Sequence, residues 1–457
     1  MHGGWIVADD LTGACDTGHE FAARGHWTRV IVDGRNDDSD AAVDALVVNT
    51  DSRYERPEMA ATAVRTAVES RSGGVVYKKI DSTLRGNLGA EVTAALSALA
   101  ATRPATTDEG DSERAPLAVV APAYPDAGRT TACGHHLVDG ALVTDAEAGL
   151  ERGNGPTSSH LPTLFGGFAY PVVGVGIETV AAGASAVAER FRSVPDHPHI
   201  ATVDATHERH LEAVAAAARR IERPVLYVGS AGLARHVELS PAPSSASASA
   251  PATSDRTAGD GGADRTGRRD RSEQSDATGV LGVVGSVAET TLRGLDALPD
   301  RAIVAVDPVT AVETPDLAAE RAAERIRTVI DADGWAVVTA ATDRSAVDDA
   351  LAAGDDAGLS ERTTRERIAH VLAETAADIV AGRRPRGLFL TGGDTAMTVL
   401  GALGARAIDL GGEAVETGIP LGTIQAGAAD GTALITRAGA FGDSETIITC
   451  LDRLRAV

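Results

Sequence analysis

The chain has 457 residues, 43% of them hydrophobic and only 3% aromatic, and its formal net charge is −23. This length exceeds what one ordinary hydrophobic core organises, so we expect two domains, and the diffuse acidic charge argues against nucleic acid and anionic membranes as partners. The sequence has no charged-then-apolar leader, no apolar run of membrane-spanning length and only scattered cysteines, so we predict a cytoplasmic protein.

Short β-rich runs alternate with Ala-rich helical stretches in the first half of the chain, which is typical of βαβ units and mostly parallel sheets. Strands are predicted at Trp5–Ala8, Ala45–Asn49, Val75–Ile80, Leu117–Ala121 and Val225–Val228. Helices are predicted at Glu58–Ser70, Ala181–Arg192 and Glu208–Arg219. Ligands of open α/β sheets collect beyond the carboxyl ends of the strands, so the residues that follow each strand are the candidate site residues.

Two adjacent carboxylates, Asp9 and Asp10, follow the first strand and precede a helix that we expect to run to about Arg24. Such a pair can bind substrate hydroxyls, ligate Mg²⁺ or supply a general base. One of them can instead cap the helix, but a doubled Asp exceeds what a cap requires. Both are therefore candidate substrate-binding residues, and Asp10 is also a candidate catalytic residue.

The densest group of charged and polar residues follows the strand Val75–Ile80 and reads KKIDSTLRGN. The only two lysines of the chain, Lys78 and Lys79, lie here side by side in a protein that otherwise uses Arg, which indicates that their ammonium groups matter. Alternation sends them to opposite faces of the strand, so we expect one to reach the cleft. A helix cap with a surface salt bridge is the simpler alternative. The catalytic candidates are Lys79 and Asp81, and the substrate-binding candidates are Ser82, Thr83 and Arg85.

Two further loops belong to the first half. Arg129 lies in a Gly/Pro turn, PDAGRTT, which can bind an anion or a polyol. The adjacent His135 and His136 are weak evidence for a metal, because no carboxylate partner has the usual spacing. The small-residue turn Gly229–Leu233 is nonspecific by itself.

A change of composition predicts the domain boundary. Residues 239–278 are rich in Ser, Ala, Pro, Gly and Asp and nearly free of large apolar side chains, so they are predicted to form a flexible linker. The shorter polar stretch 101–115 is predicted to be a surface loop. We therefore expect a substrate-binding domain at 1–238 and a nucleotide-binding domain at 279–457, both α/β with mostly parallel sheets and with the active-site cleft between them.

Glycine-rich turns characterise the second half. Strands are predicted at Gly279–Val284, Ile303–Val306, Ala336–Thr339 and Gly387–Leu390, and helices near Ala288 and at Thr364–Ala381. A strand, a Gly-rich turn and a helix N-terminus form a cradle of backbone N–H groups for phosphate, although a single glycine can merely serve a tight turn. We further predict Gly-rich loops that can wrap a nucleotide at Pro420–Gly422, Gly427 and Thr436–Asp443.

Three common nucleotide-site motifs are missing from the sequence. It lacks G-x-x-x-x-G-K-[ST], has no G-x-G-x-x-G after the first strand, and contains no H-R-D. A P-loop NTPase, a standard Rossmann dehydrogenase and a protein kinase are thereby disfavoured. The residues themselves indicate one polyol- and anion-binding domain and one phosphate-binding domain.

Seven collinear motifs together resemble the four-carbon acid sugar kinase family, formerly a domain of unknown function. The resemblance covers nearly the whole chain outside the linker, and the set is far more specific than any one motif. The motifs are Asp9–Ala14, Lys78–Gly86, Pro125–Thr130, Gly229–Leu233, Gly285–Ser286, Gly392–Thr395 and Arg437–Gly442.

The resemblance implies an N-terminal domain for the sugar acid and a C-terminal domain for ATP. It implies phosphorylation of the terminal hydroxyl of an acid such as threonate, erythronate or 3-oxo-tetronate, with ATP and Mg²⁺. Arg437 and Ala438 depart from the family pattern, which has Lys and Ser/Thr there, so we expect altered geometry rather than lost binding. Carried over by motif, the ATP contacts are Ser286, Gly392, Gly393, Asp394, Thr395 and Gly439.

Several assignments remain open at the level of sequence. In our mechanistic hypothesis Arg85 binds the substrate carboxylate, and Asp9, Asp10 or Asp81 orients the attacking hydroxyl. The alternatives are a kinase of a different polyol acid, a non-catalytic sensor that binds ATP and a sugar acid, and a dehydrogenase. A homo-oligomer is possible. The dispersed acidic surface resembles that of halophilic archaeal proteins, in which high salt screens the self-repulsion.

Overall fold

The computed structural model describes residues 3–32, 43–70, 74–101, 114–146, 155–239, 279–439 and 441–457. Most of the predicted linker, 240–278, and most of the predicted surface loop, 102–113, lie outside these ranges. No helix in the described ranges combines the length and the apolar character needed to cross a membrane.

The first half alternates strands and helices, as the sequence predicts. Its strands are β1 (Gly4–Ala8), β2 (Thr28–Ile31), β3 (Ala45–Asn49), β4 (Val75–Lys79), β5 (Leu117–Ala121), β6 (Arg129–Ala132), β7 (His135–Val138), β8 (Ala141–Leu142), β9 (Val172–Val175), β10 (His199–Val203) and β11 (Val225–Gly229). Its helices are α1 (Leu11–Ala22), α2 (Pro57–Glu69), α3 (Leu88–Ala101), α4 (Leu161–Phe165), α5 (Ile177–Ala181), α6 (Ala184–Arg192), α7 (Glu208–Ala218) and α8 (Ala231–Ala234).

The second half continues the same alternation. Its strands are β12 (Val280–Val284), β13 (Ile303–Ala305), β14 (Trp335–Thr339), β15 (Gly387–Thr391), β16 (Ala407–Glu416), β17 (Ile419–Gln425) and β18 (Ala433–Arg437). Its helices are α9 (Glu289–Asp296), α10 (Pro308–Glu313), α11 (Pro315–Asp333), α12 (Arg344–Asp356), α13 (Glu361–Gly382), α14 (Gly393–Ala402) and α15 (Thr446–Arg455).

The strands of both halves join in one sheet. Within the described ranges its order is β13-β14-β12-β15-β18-β17-β16-β2-β3-β1-β4-β11-β5-β10-β9, and a small separate sheet contains β6, β7 and β8. All pairs in the large sheet are parallel except three, β2–β16, β16–β17 and β17–β18. The protein is therefore α/β with mostly parallel strands, as predicted, and an antiparallel seam between β2 and β16 connects the halves.

Helix α1 lies at this junction and is buried on every side. Asp10 caps it, with Oδ1 accepting a hydrogen bond from the backbone N–H of Gly13 at 2.8 Å. The helix packs against β1, β3 and α8 of the first half and against β16, β17 and α14 of the second. One core cluster extends through both halves on this side of the sheet, whereas two smaller clusters cover the opposite faces. Polar groups on α1 are thus placed between the two halves.

Two predictions of local structure are wrong. The predicted helix Ala181–Arg192 is interrupted at Gly183, whose φ of +94° ends α5 and allows α6 to begin. The predicted loops at Pro420–Gly422 and at the start of Thr436–Asp443 lie within β17 and β18. Their glycines suggested turns, but the alternating burial of β17 shows that one of its faces packs on the core.

Candidate active site

The two carboxylates after β1 are held by an arginine that the sequence analysis did not identify. Arg53, in the loop after β3, donates to Asp9 through Nε (2.7 Å to Oδ2) and Nη2 (3.1 Å to Oδ1), and Nη2 also donates to Asp10 Oδ1 at 2.9 Å. Burial alone would raise the pKa of Asp9, but the charge of Arg53, aided by Lys78 and Lys79, outweighs burial and lowers it. Asp9 is therefore an ionised, fully engaged carboxylate.

A second bidentate pair follows β4. Arg85 donates from Nε to Asp81 Oδ2 (2.8 Å) and from Nη2 to Asp81 Oδ1 (3.0 Å). Burial alone would raise the pKa of Asp81, but Arg85 and then Arg53 hold it well below its usual range. Thr83 also donates from Oγ1 to Asp81 Oδ2, at 2.5 Å. This cluster shapes the loop, and Asp81 already occupies the guanidinium fork that we assigned to a substrate carboxylate.

The adjacent lysines have different surroundings. Lys78 Nζ is fully buried and lies 2.9 Å from Glu91 Oε2 of α3, an ion-pair contact that is not aligned as a hydrogen bond. Lys79 Nζ lies on the α1 side, where a Cβ placed at Gly13 would be 2.8 Å from it. Lys79 donates to the carbonyl of Ile80 at 2.8 Å and has no carboxylate within 4.0 Å in the described ranges. The two lysines therefore lie on opposite faces of the sheet, as the alternation along β4 predicts.

Arg129 is a second buried cation that has no carboxylate within 4.0 Å in the described part of the chain. Its Nε has no hydrogen-bond partner among the described residues, and its guanidinium lies 5.3 Å from the ring centroid of Phe441. The same ring lies 6.5 Å from the ring of Tyr124. Because Phe441 follows β18 and the other two residues follow β5, the C-terminal Gly-rich loop reaches across to the first half at this point.

The phosphate-cradle candidates converge at the ends of three neighbouring strands. Gly392 follows β15 with φ +95°, and a Cβ placed there would be 3.0 Å from the backbone nitrogen of Ser286, after β12. A Cβ placed at Gly439, after β18, would be 2.0 Å from Ser286 Oγ, and one at Gly285 would be 1.9 Å from Thr395 Oγ1. At Gly392 glycine lets two backbones approach closely, and at Gly439 and Gly285 it makes room for the hydroxyl groups of Ser286 and Thr395.

Arg437, which departs from the family pattern, organises the last of these turns. It is fully buried, and it donates to the carbonyl of Phe441 at 2.7 Å from Nε and to that of Gly439 at 3.4 Å from Nη2. Burial lowers the pKa of Arg437. Its guanidinium therefore binds the backbone of the loop that it begins.

The two groups of candidate residues meet across the junction of the halves. A Cβ placed at Gly393, the first residue of α14, would lie 3.0 Å from Asp10 Oδ2. The N-terminus of α14 carries partial positive charge and thus faces the carboxylates that follow β1. The sequence predicts a cleft between the domains, and Asp10 and Gly393 approach each other at the junction of the halves.

Some polar residues singled out from the sequence have structural contacts. His136 is buried, its Nε2 lies 2.9 Å from the carbonyl of Ser82, and burial lowers its pKa to about 4. His135 is exposed and stacks on His160. No group of three His, Cys, Asp or Glu side chains in the described ranges is arranged to hold a metal ion.

A buried carboxylate on α1, Asp16, also escaped the sequence analysis. Its Oδ1 has no hydrogen-bond partner among the residues that the structure describes. Burial raises the pKa of Asp16 to about 7, although Lys79 opposes the shift. The available signal was an Asp, six positions after Asp10, in a helix that the sequence places beside the site.

Comparison with known protein families matches both halves of the chain. Residues 5–237 match the model of a sugar-binding N-terminal domain, and residues 281–447 match that of a nucleotide-binding C-terminal domain. The chain is 33% identical over 463 residues to a D-threonate kinase of Salmonella typhimurium, covering 98% of this chain and 97% of the relative. It is 30% identical to a D-threonate kinase of Bordetella bronchiseptica, with 98% and 97% covered. A D-erythronate kinase of Heliobacterium modesticaldum is 29% identical, with 98% and 96% covered.

Two solved structures share the fold along the whole chain. A Salmonella typhimurium protein described as a tRNA synthase superposes with a TM-score of 0.72 at 21% identity, covering 98% of each chain. A Haemophilus influenzae protein superposes with a TM-score of 0.66 at 19% identity, covering 99% of this chain and 100% of the other. At these identities the likeness concerns the fold alone.

Proposed function

The chain is a carbohydrate kinase of the four-carbon acid sugar kinase family, and on that premise we propose that it transfers the γ-phosphoryl group of ATP to the terminal hydroxyl of a C4 sugar acid. Threonate, erythronate and 3-oxo-tetronate are the acids to consider. Relatives named D-threonate kinase and D-erythronate kinase both align over 98% of this chain, which supports the substrate class without choosing a member.

The observation that carries the proposal is the contact between Asp10 and Gly393. The carboxylates after β1 and the first backbone N–H groups of α14 border the same space. Phosphoryl transfer needs a donor phosphate and an acceptor hydroxyl held in line at short range, and catalysis consists mainly of positioning and charge stabilisation. A pair of unrelated binding sites would not require this contact.

The second half has a suitable arrangement for the phosphates of ATP. We assign the phosphates to the turns that contain Ser286, Gly393 and Gly439, where backbone N–H groups and the N-terminus of α14 favour anions. The glycines of these turns have no room for a Cβ, so the turns pack closely against one another. Asp394 and Thr395 complete the proposed nucleotide-binding set.

Mg²⁺ fits this site through few protein ligands. Asp394, in the first turn of α14, and Asp51, in the loop after β3, carry their carboxylates at the surface of the protein, where neighbouring groups partly cover that of Asp51. Partial burial, followed by the charges of Asp394 and Asp10, raises the pKa of Asp51 to about 6, so the three carboxylates lie close enough to interact. Mg²⁺ is commonly held by one or two carboxylates plus substrate phosphates, and it would supply charge neutralisation there.

The substrate carboxylate is best matched by the cations that lack protein carboxylates. Carboxylates engage Arg53, Arg85 and Lys78, whereas buried Lys79 and Arg129 have none within 4.0 Å among the residues that the structure describes. We therefore assign the acid group to Arg129, with Lys79 nearer the reacting end, and no longer to Arg85. The candidates for binding the substrate hydroxyls remain Ser82 and Thr83, in the loop after β4. The three carboxylates nearby instead fix the arginines of the site in place by accepting their hydrogen bonds; these are Asp9, Asp10 and Asp81.

The test is ATP consumption in the presence of Mg²⁺ and high KCl across a panel of C4 sugar acids, with the corresponding neutral tetritols as controls. We expect turnover with at least one acid and a product phosphorylated at the terminal hydroxyl. The matching tetritol should react at least about tenfold more slowly, because a hydrogen-bonded ion pair contributes about 1.5–3 kcal/mol. Tight ATP binding without turnover of any acid would contradict the proposal and favour a sensor.

A further inference from the structure

The face of α1 that turns towards the substrate loops carries an unsatisfied carboxylate. Asp16 is only 8% exposed, and its buried Oδ1 accepts no hydrogen bond from any described residue. A buried polar atom without a partner costs free energy, so such atoms in folded proteins call for a specific explanation. Other buried carboxylates nearby do have partners, since Asp9, Asp10 and Asp81 all accept from guanidinium groups.

The location of Asp16 places it next to both proposed substrate regions. Gly13 and Asp16 lie on one face of α1, three residues apart, and Lys79 Nζ lies against Gly13. A Cβ placed at Gly418 would be 3.4 Å from Asp16 Oδ1 and 2.6 Å from Phe441 Cδ1. Asp16 and Phe441 therefore face each other across Gly418, and Phe441 belongs to the loop that brings Gly439 to Ser286.

We propose that Asp16 is a catalytic residue that binds the substrate hydroxyl to be phosphorylated and accepts its proton. The inference rests on the proposed kinase function and deepens it. The hydroxyl oxygen forms a bond to the γ-phosphorus while the bond from that phosphorus to the β,γ-bridging oxygen breaks, and its electron pair leaves with ADP. The hydroxyl proton passes to Asp16 and then to solvent, so one proton is released for each phosphoryl group transferred.

This assignment differs from the one made from sequence, in which Asp10 is the candidate base. Asp10 accepts hydrogen bonds on Oδ1 from Arg53 and from Gly13 N–H, and on Oδ2 from Thr12 Oγ1, at 2.7–2.9 Å, so most of its lone pairs are used, whereas Asp16 Oδ1 accepts none from the described residues. A general base must offer a lone pair to the reacting proton. Asp16 Oδ1 meets that condition, and Asp10 is better suited to hold the start of α1 and Arg53 in place.

The charged groups around Asp16 suit a base near neutral pH. Burial raises the pKa of Asp16 to about 7; Lys79 of β4 and Arg235 beyond α8 lower it, whereas Glu20 and Asp10 of α1 raise it further. Two phenols, Tyr77 of β4 and Tyr124 after β5, also feel its charge. An acid works as a base only when ionised, so activity should rise with pH through about 7 and then level off.

The experiment compares Asp16→Asn with wild type and with Glu20→Gln. Glu20 is a buried carboxylate on the same helix that is paired with Arg235, so it controls for the loss of a carboxylate from α1. We expect Asp16→Asn to lower kcat by about 10²–10⁴-fold, to abolish the rise of kcat/KM through pH 7, and to leave ATP affinity within a few-fold of wild type. Glu20→Gln should retain a rise of kcat/KM with pH, moved to lower pH because Glu20 raises the pKa of Asp16.

A stability measurement separates this role from a structural one. The folded-state pKa of Asp16 lies above its ordinary value of 3.8, so its ionisation destabilises the protein as pH rises from about 4 to about 7. Asp16→Asn should therefore show an unchanged or higher Tm at pH 8 together with its lost activity. A lower Tm with kcat and KM both altered would indicate a structural residue. Wild-type turnover with an unaltered pH profile in Asp16→Asn would overturn the inference while leaving the kinase function intact.

Discussion

Neighbouring residues of one strand can have different roles. In β4, the roles of the two lysines follow from the groups that each ammonium contacts. Lys78 turns towards α3, where it offsets the buried charge of Glu91, which also accepts from Ser52 Oγ at 2.6 Å. Lys79 turns towards α1 and has no carboxylate within 4.0 Å in the described ranges. A buried cation without a counter-ion is costly unless a ligand supplies the negative charge. We therefore read Lys78 as structural and Lys79 as ligand-binding.

Methionine substitutions should separate the two roles. Lys78→Met leaves Glu91 buried without a counter-ion and should lower the free energy of unfolding by about 3–5 kcal/mol, whereas Lys78→Met/Glu91→Met should recover most of the loss. Lys79→Met breaks no ion pair within 4.0 Å in the described ranges and removes only the longer-range charge felt by carboxylates such as Asp16, so it should cost much less stability than Lys78→Met but lower kcat/KM by about 100-fold or more. Denaturant unfolding and steady-state kinetics on the three variants measure this. A large drop in stability for Lys79→Met would refute the division of roles.

At the scale of elements, the turn from β15 into α14 requires glycine at position 392. Gly392 has φ +95°, and the atoms nearest a Cβ there, at 3.0–3.5 Å, belong to Gly285 and to the backbone nitrogen and Cα of Ser286. Backbone cannot move aside as a flexible side chain can, so the turn cannot accept a larger residue without displacing the Ser286 turn. The two halves of the proposed phosphate cradle are coupled in this way.

Gly392→Ala tests this coupling, with Gly358→Ala as its matched control. Gly358 also has a positive φ, +70°, but no atom lies within 4 Å of a Cβ placed there. Both variants incur the backbone strain of about 1–2 kcal/mol, and only Gly392→Ala also crowds Ser286. We expect ATP affinity to fall at least about tenfold in Gly392→Ala and to stay at the wild-type value in Gly358→Ala. Calorimetric titration with ATP provides the comparison, and equal affinities would rule out the coupling.

Local sequence patterns predicted the strands and helices that are regular and continuous. The strands Ala45–Asn49 and Leu117–Ala121 coincide with β3 and β5 because β-branched and small apolar residues fill them without interruption. The strand β17 was missed because Pro420–Gly422 suggested a loop. The pairing of β16 with β2 joins residues as far apart in sequence as Thr28 and Leu410, which no local period can reveal.

The loops that form the candidate site were predictable from the sequence, but the pairing of their charged side chains was not. Because their motifs follow strands, Asp10 and Gly393 could be assigned to loops at the carboxyl ends of strands. The role of each charged side chain, however, depends on the group with which it pairs. Arg53 lies in an irregular loop and Asp16 in the interior of a helix, so neither has a sequence pattern that marks it. Which carboxylates are neutralised by guanidinium groups follows only from the three-dimensional contacts.

At the scale of the whole molecule, two α/β halves form a continuous sheet with α1 enclosed between them. The seam pairs Thr28–Ile31 with Ala407–Leu410, and Arg29 adds a bidentate contact to Asp409 across it, at 2.6 and 2.9 Å. Backbone hydrogen bonds and a shared core thus fix how the proposed substrate loops face the proposed phosphate loops. Electrostatic repulsion also acts across the whole molecule, because the chain carries a formal net charge of −23.

That charge predicts a strong dependence of stability on salt. Screening shortens the Debye length from about 10 Å at 0.1 M to about 3 Å at 1 M, so repulsion between exposed carboxylates should weaken as KCl is added. Buried pairs such as Arg53–Asp9 are shielded from the ions and should change little. We expect Tm to rise steadily between 0.1 M and 2 M KCl, most steeply below 1 M. Sucrose at matched water activity is the control, since it favours the compact state without screening charge. A Tm that rises equally in sucrose, or that falls in KCl, would show that self-repulsion is not what limits the stability of this fold.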